Sequence, residues 1–485
     1  MIEALLELAA AWGRPDAVQT VAQSGIAADN VNGMTIHRYN GFDVHANMSK
    51  GRISRERYER SFKCVMLIVD EFCQTSQELI GKHLANQKHV LNKPSELAAG
   101  KHMLLAGDHM QLSPIGTRMF TPLFEQTTPQ PDDPPLSAKE AKAKLKDVQK
   151  DIYHALALEL YLAINCVVTL KEVPRFNSNP EWGEVLGRIR FGEYNQVDLD
   201  YINAHAYCPN SPIQPCSNDA LQIDAFNGFC PIVLTSNSLR QHYNTILIGQ
   251  LATQNKAIVY QVDAQLYGLG SKSLTLTERH ALRNLQDDKC ARLATVLWLI
   301  LGGPYSGTRN IPGIMCNGTL GHVVGIQHHP NNVFTSINST EQHYVILKCS
   351  HMPEVIYWRH MRDNGKIVVP GMPSSVVPVR PLDKVSVTVS LPSRSFTIKI
   401  TQFPLVSCMA LLVDKLQGIT IHKAVTGQLR PSSRRSPQRT SQYVAFSRVR
   451  QVWTLRLPHR LTIENCAYFK PDRALVEEQR RMEAR

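Results

Sequence analysis

The sequence predicts an α/β protein built on parallel sheets, with a smaller β-rich module inserted late in the chain. Two continuous apolar runs, residues 65–69 and 102–106, flank a helix-like stretch from Ser76 to Gln87. Continuous apolar runs are typical of strands covered on both faces, and a strand, helix, strand order is typical of parallel α/β sheets. Between about residues 323 and 400, short alternating segments separated by Gly, Pro and Asn predict the inserted β module.

The chain before the first apolar run predicts a helix, a strand and a second, short helix. Apolar residues recur at helical spacing from Ile2 to Trp12, and Gly13 and Pro15 then end the pattern. A short apolar strand ends at Ala22 and leads into turns of small residues. We therefore expect the order strand, loop, short helix, loop.

The rest of the chain predicts a linker, a second α/β region and a charged tail. Residues 126–135 are rich in proline and a charged helical stretch follows, which predicts a linker and surface helix over about 126–150. A second α/β region begins with the apolar run 232–235 and a helix from Leu239 to Leu251. A helix and strand segment then covers 405–457, and a charged helix ends the chain.

Length, net charge and hydrophobic content limit the classes of protein to which this chain can belong. The 485 residues leave room for about three domains. Lys and Arg total 53 against 41 Asp and Glu, and this net charge of +12 favours a polyanionic partner, nucleic acid before a membrane surface. A hydrophobic content of 43% with 19% charged residues excludes wholesale disorder.

Two further features bear on compartment and metal content. The longest strongly apolar run, residues 293–301, is much shorter than the roughly 20 residues that span a bilayer, so we expect a soluble intracellular protein without membrane contact. The 11 cysteines form no CxxC pair, which argues against a zinc site and against a secreted disulfide framework.

An acidic pair ends the first apolar run. Asp70 and Glu71 directly follow residues 65–69. A nucleoside triphosphatase needs one carboxylate to hold magnesium and a second to orient or deprotonate the attacking water, and Asp70 and Glu71 fit these roles in that order. The alternative is a pair of acids at an exposed strand end.

The second apolar run ends in a similar polar cluster. Asp108 and Gln111 follow residues 102–106 within Gly-Asp-His-Met-Gln-Leu-Ser-Pro. A neutral amide such as that of Gln111 can hydrogen-bond a γ-phosphate or the attacking water without adding charge. Its alternative role is that of an ordinary polar group in a turn. Both clusters fall at strand ends, where ligands sit in α/β sheets.

The two clusters carry a family resemblance. Asp70-Glu71-Phe72 followed by Gly107 to Pro114 resembles Walker B and motif III of superfamily one helicases, and most closely those of the Pif type, which includes the helicases of Helitron transposons. The resemblance extends from about residue 1 to 457. Further matches follow in the family's order: residues 24–28 and 33–37 with motif Ia, LKEVPRF and LGRIRFG with motif IV, VLTSNSLRQHYN with the start of the second domain, MCNGTLGHVVGI with the NGT-G turn, QFPLVSCMALLVDKLQGITI with motif V, and 442–450 with motif VI.

The resemblance implies two RecA-like domains of parallel sheets, the first of them truncated at its N-terminus, with an inserted β-barrel-like module. On this basis we predict a first RecA-like domain over 1–192 and a second over 193–322 and 401–470. The inserted module is predicted over 323–400 and a charged tail over 471–485.

The resemblance also implies a function. It implies an ATP-dependent DNA helicase that uses ATP and Mg²⁺, translocates 5′ to 3′ on single-stranded DNA, unwinds duplex DNA and acts in DNA repair and recombination after DNA damage. We expect a monomer located in the nucleus, with the mitochondrion as the alternative compartment.

The family's functional residues transfer to positions that match its motifs. The implied catalytic residues are Glu71, Gln111, Arg175 and Arg448. The implied nucleotide-binding residues are Asp70, Asp108, Gln417 and Gly418, with Asp70 as the Mg²⁺ ligand. The implied DNA-binding residues are Ser24, Gly25, Thr35, His37 and Lys415. The alternatives are a surface ion pair for Arg448 in a strand and turn context, a loop hydroxyl for Thr35, and a histidine with satisfied hydrogen bonds for His37.

The sequence departs from the family pattern in two places. It contains no GxxxxGK[ST] phosphate loop, which the family carries just before the helix that starts here at Ile2. We therefore expect weak ATP binding, and a first sheet with an exposed edge. The motif V core reads Asp414-Lys415-Leu416-Gln417-Gly418, and an acid there is expected to weaken DNA contact unless the basic stretch 429–439 offsets it.

Two other classes of function are relevant to this sequence. A catalytically inactive nucleic-acid-binding remnant of a transposon-derived helicase is the main alternative. An α/β hydrolase or a dehydrogenase is excluded, since the chain has neither a GxSxG elbow nor a GxGxxG fingerprint.

Overall fold

The computed structural model describes residues 1–42, 54–114, 138–170, 172–206, 230–267, 275–311, 314–337, 344–361, 367–391, 394–421, 424–426, 429 and 439–484. The helices are α1 Ile2–Ala11, α2 Gly25–Asn30, α3 Ile36–Asn40, α4 Arg55–Lys63, α5 Gln77–Val90, α6 Ala138–Leu162, α7 Pro180–Phe191, α8 Gln196–His205, α9 Asn237–Asn255, α10 Leu276–Arg283, α11 Ser441–Phe446, α12 Ile463–Ala467 and α13 Arg473–Glu483.

The strands lie between residues 18 and 456. They are β1 Val18–Ala22, β2 Met34–Thr35, β3 Met66–Asp70, β4 His102–Ala106, β5 Ile232–Leu234, β6 Val259–Asp263, β7 Gln265–Tyr267, β8 Val296–Leu299, β9 Pro304–Gly307, β10 Leu320–Gln327, β11 Phe334–Ile337, β12 Ile346–Cys349, β13 Val355–His360, β14 Val376–Val379, β15 Leu382–Ser390, β16 Ser395–Gln402, β17 Leu405–Ser407, β18 Ala410–Leu412, β19 Ala424–Thr426 and β20 Leu455–Arg456.

The first sheet is parallel and has the order β2-β1-β3-β4. The apolar run predicted as a strand is β3, in which Leu67, Ile68 and Val69 are fully buried because helices and strands cover both faces. The predicted helix is α5, which starts after Ser76, whose hydroxyl accepts a hydrogen bond from the Leu79 amide as an N-cap. We call this sheet and its helices the first lobe.

Strand β4 lies at the outer edge of the first sheet as the described residues form it. It pairs with β3 on one side, and its residues from Met103 to Ala106 are only partly buried. On the β3 side the pairing is regular over five residue pairs from Met66 and His102 to Asp70 and Ala106. The motif III segment therefore leaves the sheet from an edge strand.

The second sheet is also parallel and has the order β18-β5-β19-β20. Its hydrophobic core includes Val233 from β5, Trp182 from α7 and Phe446 from α11, and the rings of Trp182 and Phe446 lie 6.4 Å apart. We call this sheet, with α7, α8 and α11, the second lobe. The α/β fold with two parallel sheets that the sequence predicts is confirmed.

Within its described residues, the β-rich region forms three sheets, with the orders β14-β13-β10-β9-β17, β11-β12-β6-β8 and β15-β16-β7. Most of its pairings are antiparallel, and β12 with β6 is parallel. Strands β10 and β12 pair with β9 and β6, which precede the predicted module. The predicted domain bounds stay a prediction.

The predicted linker and tail are described in part. The charged stretch after the Pro-rich segment is the first half of α6, whereas residues 126–137 lie outside the described residues, as do 430–438 of the basic stretch. The charged tail forms α13. In the described part of the chain, no helix combines the length and the apolar character needed to cross a membrane.

Candidate functional site

The first sheet brings four strand ends into one row. The backbone register aligns Thr35, Ala22, Asp70 and Ala106 across β2, β1, β3 and β4. Because the strands are parallel, the segments that follow this row all leave the sheet at the same edge. Those segments carry the candidate residues Ser24, Gly25, His37, Glu71, Asp108 and Gln111.

Glu71 occupies an unusual backbone conformation at this edge. Its φ of 50° lies in the left-handed region, which costs a residue with a side chain about 1 kcal/mol or more. Burial raises the pKa of the Glu71 carboxyl, and the hydrogen bond from Gln417 opposes that rise. Burial also raises the pKa of the neighbouring Asp70. Two partly buried carboxyls therefore sit side by side at the end of β3.

Gln417 reaches Glu71 from the second lobe. Its Nε2 donates a hydrogen bond of 3.0 Å to Oε2 of Glu71, and only 5% of Gln417 is exposed. The next residue, Gly418, has a φ of +79° and accepts a hydrogen bond of 3.0 Å from Nδ2 of Asn30 in α2. Motif V thus contacts the first lobe at two points.

Asp108 is held by an arginine that the sequence analysis did not identify. Arg190, near the end of α7, donates to both Asp108 carboxylate oxygens, at 2.8 Å from Nη2 and 3.2 Å from Nε. Oδ1 of Asp108 also accepts from the Met110 amide at 2.9 Å. Nothing in the local sequence distinguishes Arg190 from Arg188, which instead pairs with Asp198. The structure assigns Asp108 a protein partner, and its predicted contact with nucleotide stays a prediction.

The side-chain oxygen of Gln111 is a hydrogen-bond acceptor without a partner among the described residues. The backbone carbonyl of Gln111 accepts a hydrogen bond of 3.1 Å from the Thr440 hydroxyl, just before α11 of the second lobe. Its side-chain Oε1 is buried and has no hydrogen-bond partner within the described residues. A buried amide oxygen without a partner is costly, so this atom is suited to accept from a ligand or water.

Arg448 lies in the turn after α11 and is only 3% exposed. Its Nε donates to the Val444 carbonyl at 3.0 Å and its Nη2 to the Ser447 hydroxyl at 2.8 Å. Burial, followed by the nearby Arg175, lowers the pKa of Arg448 to about 10. The alternative of a surface ion pair is wrong, because the Arg448 side chain is buried.

Arg175 lies beside Arg448. It belongs to the short turn Pro174–Phe176, and its Nη1 donates to the Ser447 carbonyl at 2.9 Å. Burial lowers the pKa of Arg175, while Glu71 raises it. Across the described ranges, neither arginine has a carboxylate within ion-pair distance. Two partly or fully buried cations therefore share one region without direct neutralisation.

The nucleotide-site candidates form one electrostatic group. Glu71 interacts with Arg448 and Asp108, and Arg448 interacts with Arg175. Carboxyls at the end of the first sheet thus lie within electrostatic range of Arg448 and Arg175. Such an arrangement accommodates an anion together with a cation between the lobes. No group of three His, Cys, Asp or Glu that could hold a metal occurs in the portion described.

The predicted DNA-binding residues lie elsewhere along the same edge. The hydroxyls of Ser24 and Thr35 cap α2 and α3 by accepting from the amides of Ala27 and Arg38. His37 is partly buried, and burial followed by Lys82 lowers its pKa. The capping hydroxyls support the local backbone, and their predicted contact with DNA stays a prediction.

Gly25 and Lys415 both lie close to the NGT-G turn. Gly25 is buried, and a Cβ there would lie 2.8 Å from Cβ of Cys316 in the NGT-G turn. Lys415 is 35% exposed and packs near Gly318 of the same turn. The acid predicted to disturb this surface, Asp414, lies 3.8 Å from the Lys415 ammonium.

Comparison with known proteins finds similarity to Pif1 helicases in part of the sequence and in the fold. Residues 6–121 match the family described as PIF1-like helicase. The chain is 31% identical to the ATP-dependent DNA helicase Pif1 of Psychrobacter sp. (strain PRwf-1) over 111 residues, which cover 21% of this chain and 16% of that protein. It is 24% identical to the ATP-dependent DNA helicase PIF1 of Saccharomyces cerevisiae (strain YJM789) over 253 residues, covering 47% and 26%.

The fold agrees over a longer stretch than the sequence. The crystal structure of Bacteroides Pif1 bound to ssDNA superposes with a TM-score of 0.61 at 18% identity, covering 100% of this chain and 91% of that one. The chain spans about a quarter or less of the length of the curated relatives it matches. Residues 6–121 thus match the PIF1-like helicases in sequence, and the whole chain is similar in fold to a Pif1 helicase structure.

Proposed function

We propose that the chain acts as an ATP-dependent DNA helicase that translocates 5′ to 3′ on single-stranded DNA and unwinds duplex DNA, in DNA repair and recombination. One observation carries the proposal. Arg448 and Arg175 interact electrostatically with Glu71 at the carboxyl edge of the first sheet, and neither forms a direct ion pair within the described residues. An arrangement of this kind suits a triphosphate whose charge changes during hydrolysis.

The residues fit ATP with Mg²⁺. Asp70 would hold Mg²⁺, whose role is to neutralise phosphate charge and polarise the phosphoryl oxygens. A single protein carboxylate suits this ion, since Mg²⁺ usually keeps several waters and takes phosphate oxygens as its other ligands. Oε1 of Gln111, which has no hydrogen-bond partner among the described residues, adds an acceptor at the same edge. Burial raises the pKa of the Asp70 and Glu71 carboxyls, and a bound cation would lower both pKa values again.

The chain's own side chains would divide the chemistry. The Glu71 carboxylate would accept a proton from the attacking water, and its raised pKa makes it a stronger base than an exposed glutamate. Gln111 would orient that water through Oε1. Arg448 and Arg175 would stabilise charge on the phosphoryl oxygens through their guanidinium donors.

Single-stranded DNA would bind where the lobes meet. Ser24, Gly25, Thr35, His37 and Lys415 are our proposed contacts, on the motif Ia turns and beside the NGT-G turn. The net charge of +12 supports a polyanionic partner. Single strands are commonly held by a mixture of phosphate contacts and base stacking. We further propose that the chain acts as a monomer in the nucleus, with the mitochondrion as the alternative.

The test uses the purified chain with ATP, Mg²⁺ and forked DNA. We expect hydrolysis stimulated by single-stranded DNA and unwinding of a substrate with a 5′ tail but not a 3′ tail. Glu71→Gln should lower hydrolysis by roughly 10²- to 10⁴-fold while single-stranded DNA still binds. Glu477→Ala, an exposed change on α13, is the matched control and should leave hydrolysis unchanged.

A second candidate is a nucleic-acid-binding protein without turnover. The net charge of +12 favours it, since binding to a polyanion requires no chemistry. Binding of single-stranded DNA without any ATP hydrolysis would support this candidate and overturn the first. Hydrolysis that is lost in Glu71→Gln would rule it out.

A further inference from the structure

The loop that carries Gln111 is held by residues from distant parts of the chain. This loop follows β4 and includes Asp108 and His109. Arg190 of α7 holds Asp108, as described above. His109 is held separately by α6 and by the C-terminal helix α13, for which the sequence indicates no chemistry.

His109 lies in a buried polar contact. The residue is 4% exposed, and its Nδ1 lies 3.0 Å from Oε1 of Gln479, which can only accept, so Nδ1 donates. Its Nε2 lies 3.3 Å from the hydroxyl of Tyr161 in α6. The imidazole also packs edge-on against Phe72, with ring centres 5.2 Å apart. The ring has little freedom to turn without losing these contacts.

Glu478 completes the contact from α13. It is 6% exposed and accepts a hydrogen bond of 2.7 Å from the Tyr161 hydroxyl. Arg481 on the same helix neutralises it, with an N to O distance of 2.6 Å. A buried carboxylate with two partners is well satisfied, so Tyr161 is held firmly against His109.

Helix α13 spans the two lobes. It follows α12, whose Cys466 is buried in the core of the second lobe. Its own Met482 is buried in the core of the first lobe. Arg480 pairs with Glu193, just after α7. Since α13 is tied to both lobes, any change in their relative position acts on the contact with His109.

We propose that α13 positions the motif III loop, with Gln479 and Glu478 as positioning residues that act through His109 on Gln111. Gln479 contacts His109 directly, and Glu478 acts through Tyr161. The importance of Gln111 rests on the function proposed above, whereas the positioning of the loop does not. The competing explanation is that α13 only covers apolar surface through Met482 and Leu475.

Amide hydrogen exchange of the full-length chain tests the positioning. Gln479→Leu keeps the size of the side chain and removes the acceptor, so we expect amides 108–112 to exchange about fivefold faster or more, with α5 unchanged. Gln479→Glu retains an acceptor and should restore slow exchange. Glu477→Ala, on the exposed face of α13, is the control. Unchanged exchange at 108–112 in Gln479→Leu would overturn the proposal.

The rate of ATP hydrolysis gives a second measurement, which would not change if α13 only covered apolar surface. Gln479→Leu should lower kcat on the order of 10- to 100-fold with KM for ATP and affinity for single-stranded DNA unchanged. Met482→Ala should lower stability instead, since it removes apolar burial. If the unsubstituted chain hydrolyses no ATP, the proposed function fails, while the exchange result still decides the role of α13. Faster exchange with unchanged kcat would overturn the link to Gln111.

Discussion

Nε2 of Gln417 donates a hydrogen bond to Oε2 of Glu71 across 3.0 Å, joining residues 346 positions apart in the sequence. The bond connects motif V of the second lobe with the carboxylate that we propose as the base. Because a hydrogen bond to the ionised form lowers a carboxyl pKa, Gln417 opposes the effect of burial on Glu71. The position of the second lobe can therefore tune this carboxylate.

Removing the donor should destabilise the chain in a pH-dependent way. Gln417→Leu leaves the Glu71 carboxylate without this bond, and we expect the free energy of unfolding to fall by about 1–3 kcal/mol at pH 8. Because the pKa of Glu71 is raised in the folded state, folding favours the protonated carboxyl. This contribution to the free energy of unfolding is fully present below the unfolded pKa and is lost as pH rises through the folded pKa. The loss should therefore be smaller at pH 5.

Urea denaturation at pH 8 and pH 5 measures both values. The double variant Glu71→Gln with Gln417→Leu should recover much of the loss, because no charge remains to be satisfied. An equal loss at both pH values would contradict the assignment of the effect to Glu71.

Arg448→Met should separate stability from activity. Burial lowers the pKa of Arg448 to about 10, so the folded state disfavours its charged form throughout the neutral range. We expect an unchanged or higher Tm at pH 7.5, together with a loss of hydrolysis on the order of 10³-fold or more. Arg450→Met, an exposed neighbour, should change neither quantity. A large fall in Tm would show that Arg448 serves the fold instead.

Arg190→Met should destabilise the first lobe. It leaves the Asp108 carboxylate, 18% exposed, without its bidentate partner, at an expected cost of about 3 kcal/mol in the free energy of unfolding. Adding Asp108→Asn should restore part of the loss, since it removes the unpaired charge. Arg473→Met is the control, because its ion pair is exposed and worth about 0.5 kcal/mol or less. Guanidinium denaturation checks all three.

Two glycines in helices should respond in opposite directions to alanine. A Cβ on Gly81 of α5 would lie 1.9 Å from the Tyr153 carbonyl oxygen of α6, so Gly81→Ala must push the two helices apart and lower Tm. A Cβ on Gly187 of α7 meets no atom of the described residues within 4 Å, so Gly187→Ala should add about 0.5–1 kcal/mol of stability. Thermal unfolding of both variants gives the comparison, and a stabilised Gly81→Ala would refute the close approach.

Local sequence patterns predicted the elements and the edge of the sheet where the site lies. The apolar runs before Asp70 and Asp108 correspond to β3 and β4, because a strand buried on both faces needs an unbroken apolar stretch. The helix-like stretch predicted from Ser76 corresponds to α5, whose first turn the Ser76 hydroxyl caps in the structure. These signals depend on residues within a few positions of one another, so they can be read without the fold.

The pairings across the lobes were decided by the tertiary structure. Neither the bond from Gln417 to Glu71, nor the hold of Arg190 on Asp108, nor the contact of Gln479 with His109 follows from spacing. The physical reason is that such contacts depend on the path of the chain between two sheets and on which polar groups are buried together. The sequence by itself determined which side chains reach the carboxyl edge of the first sheet, and the packing of the lobes decided which partners meet them there.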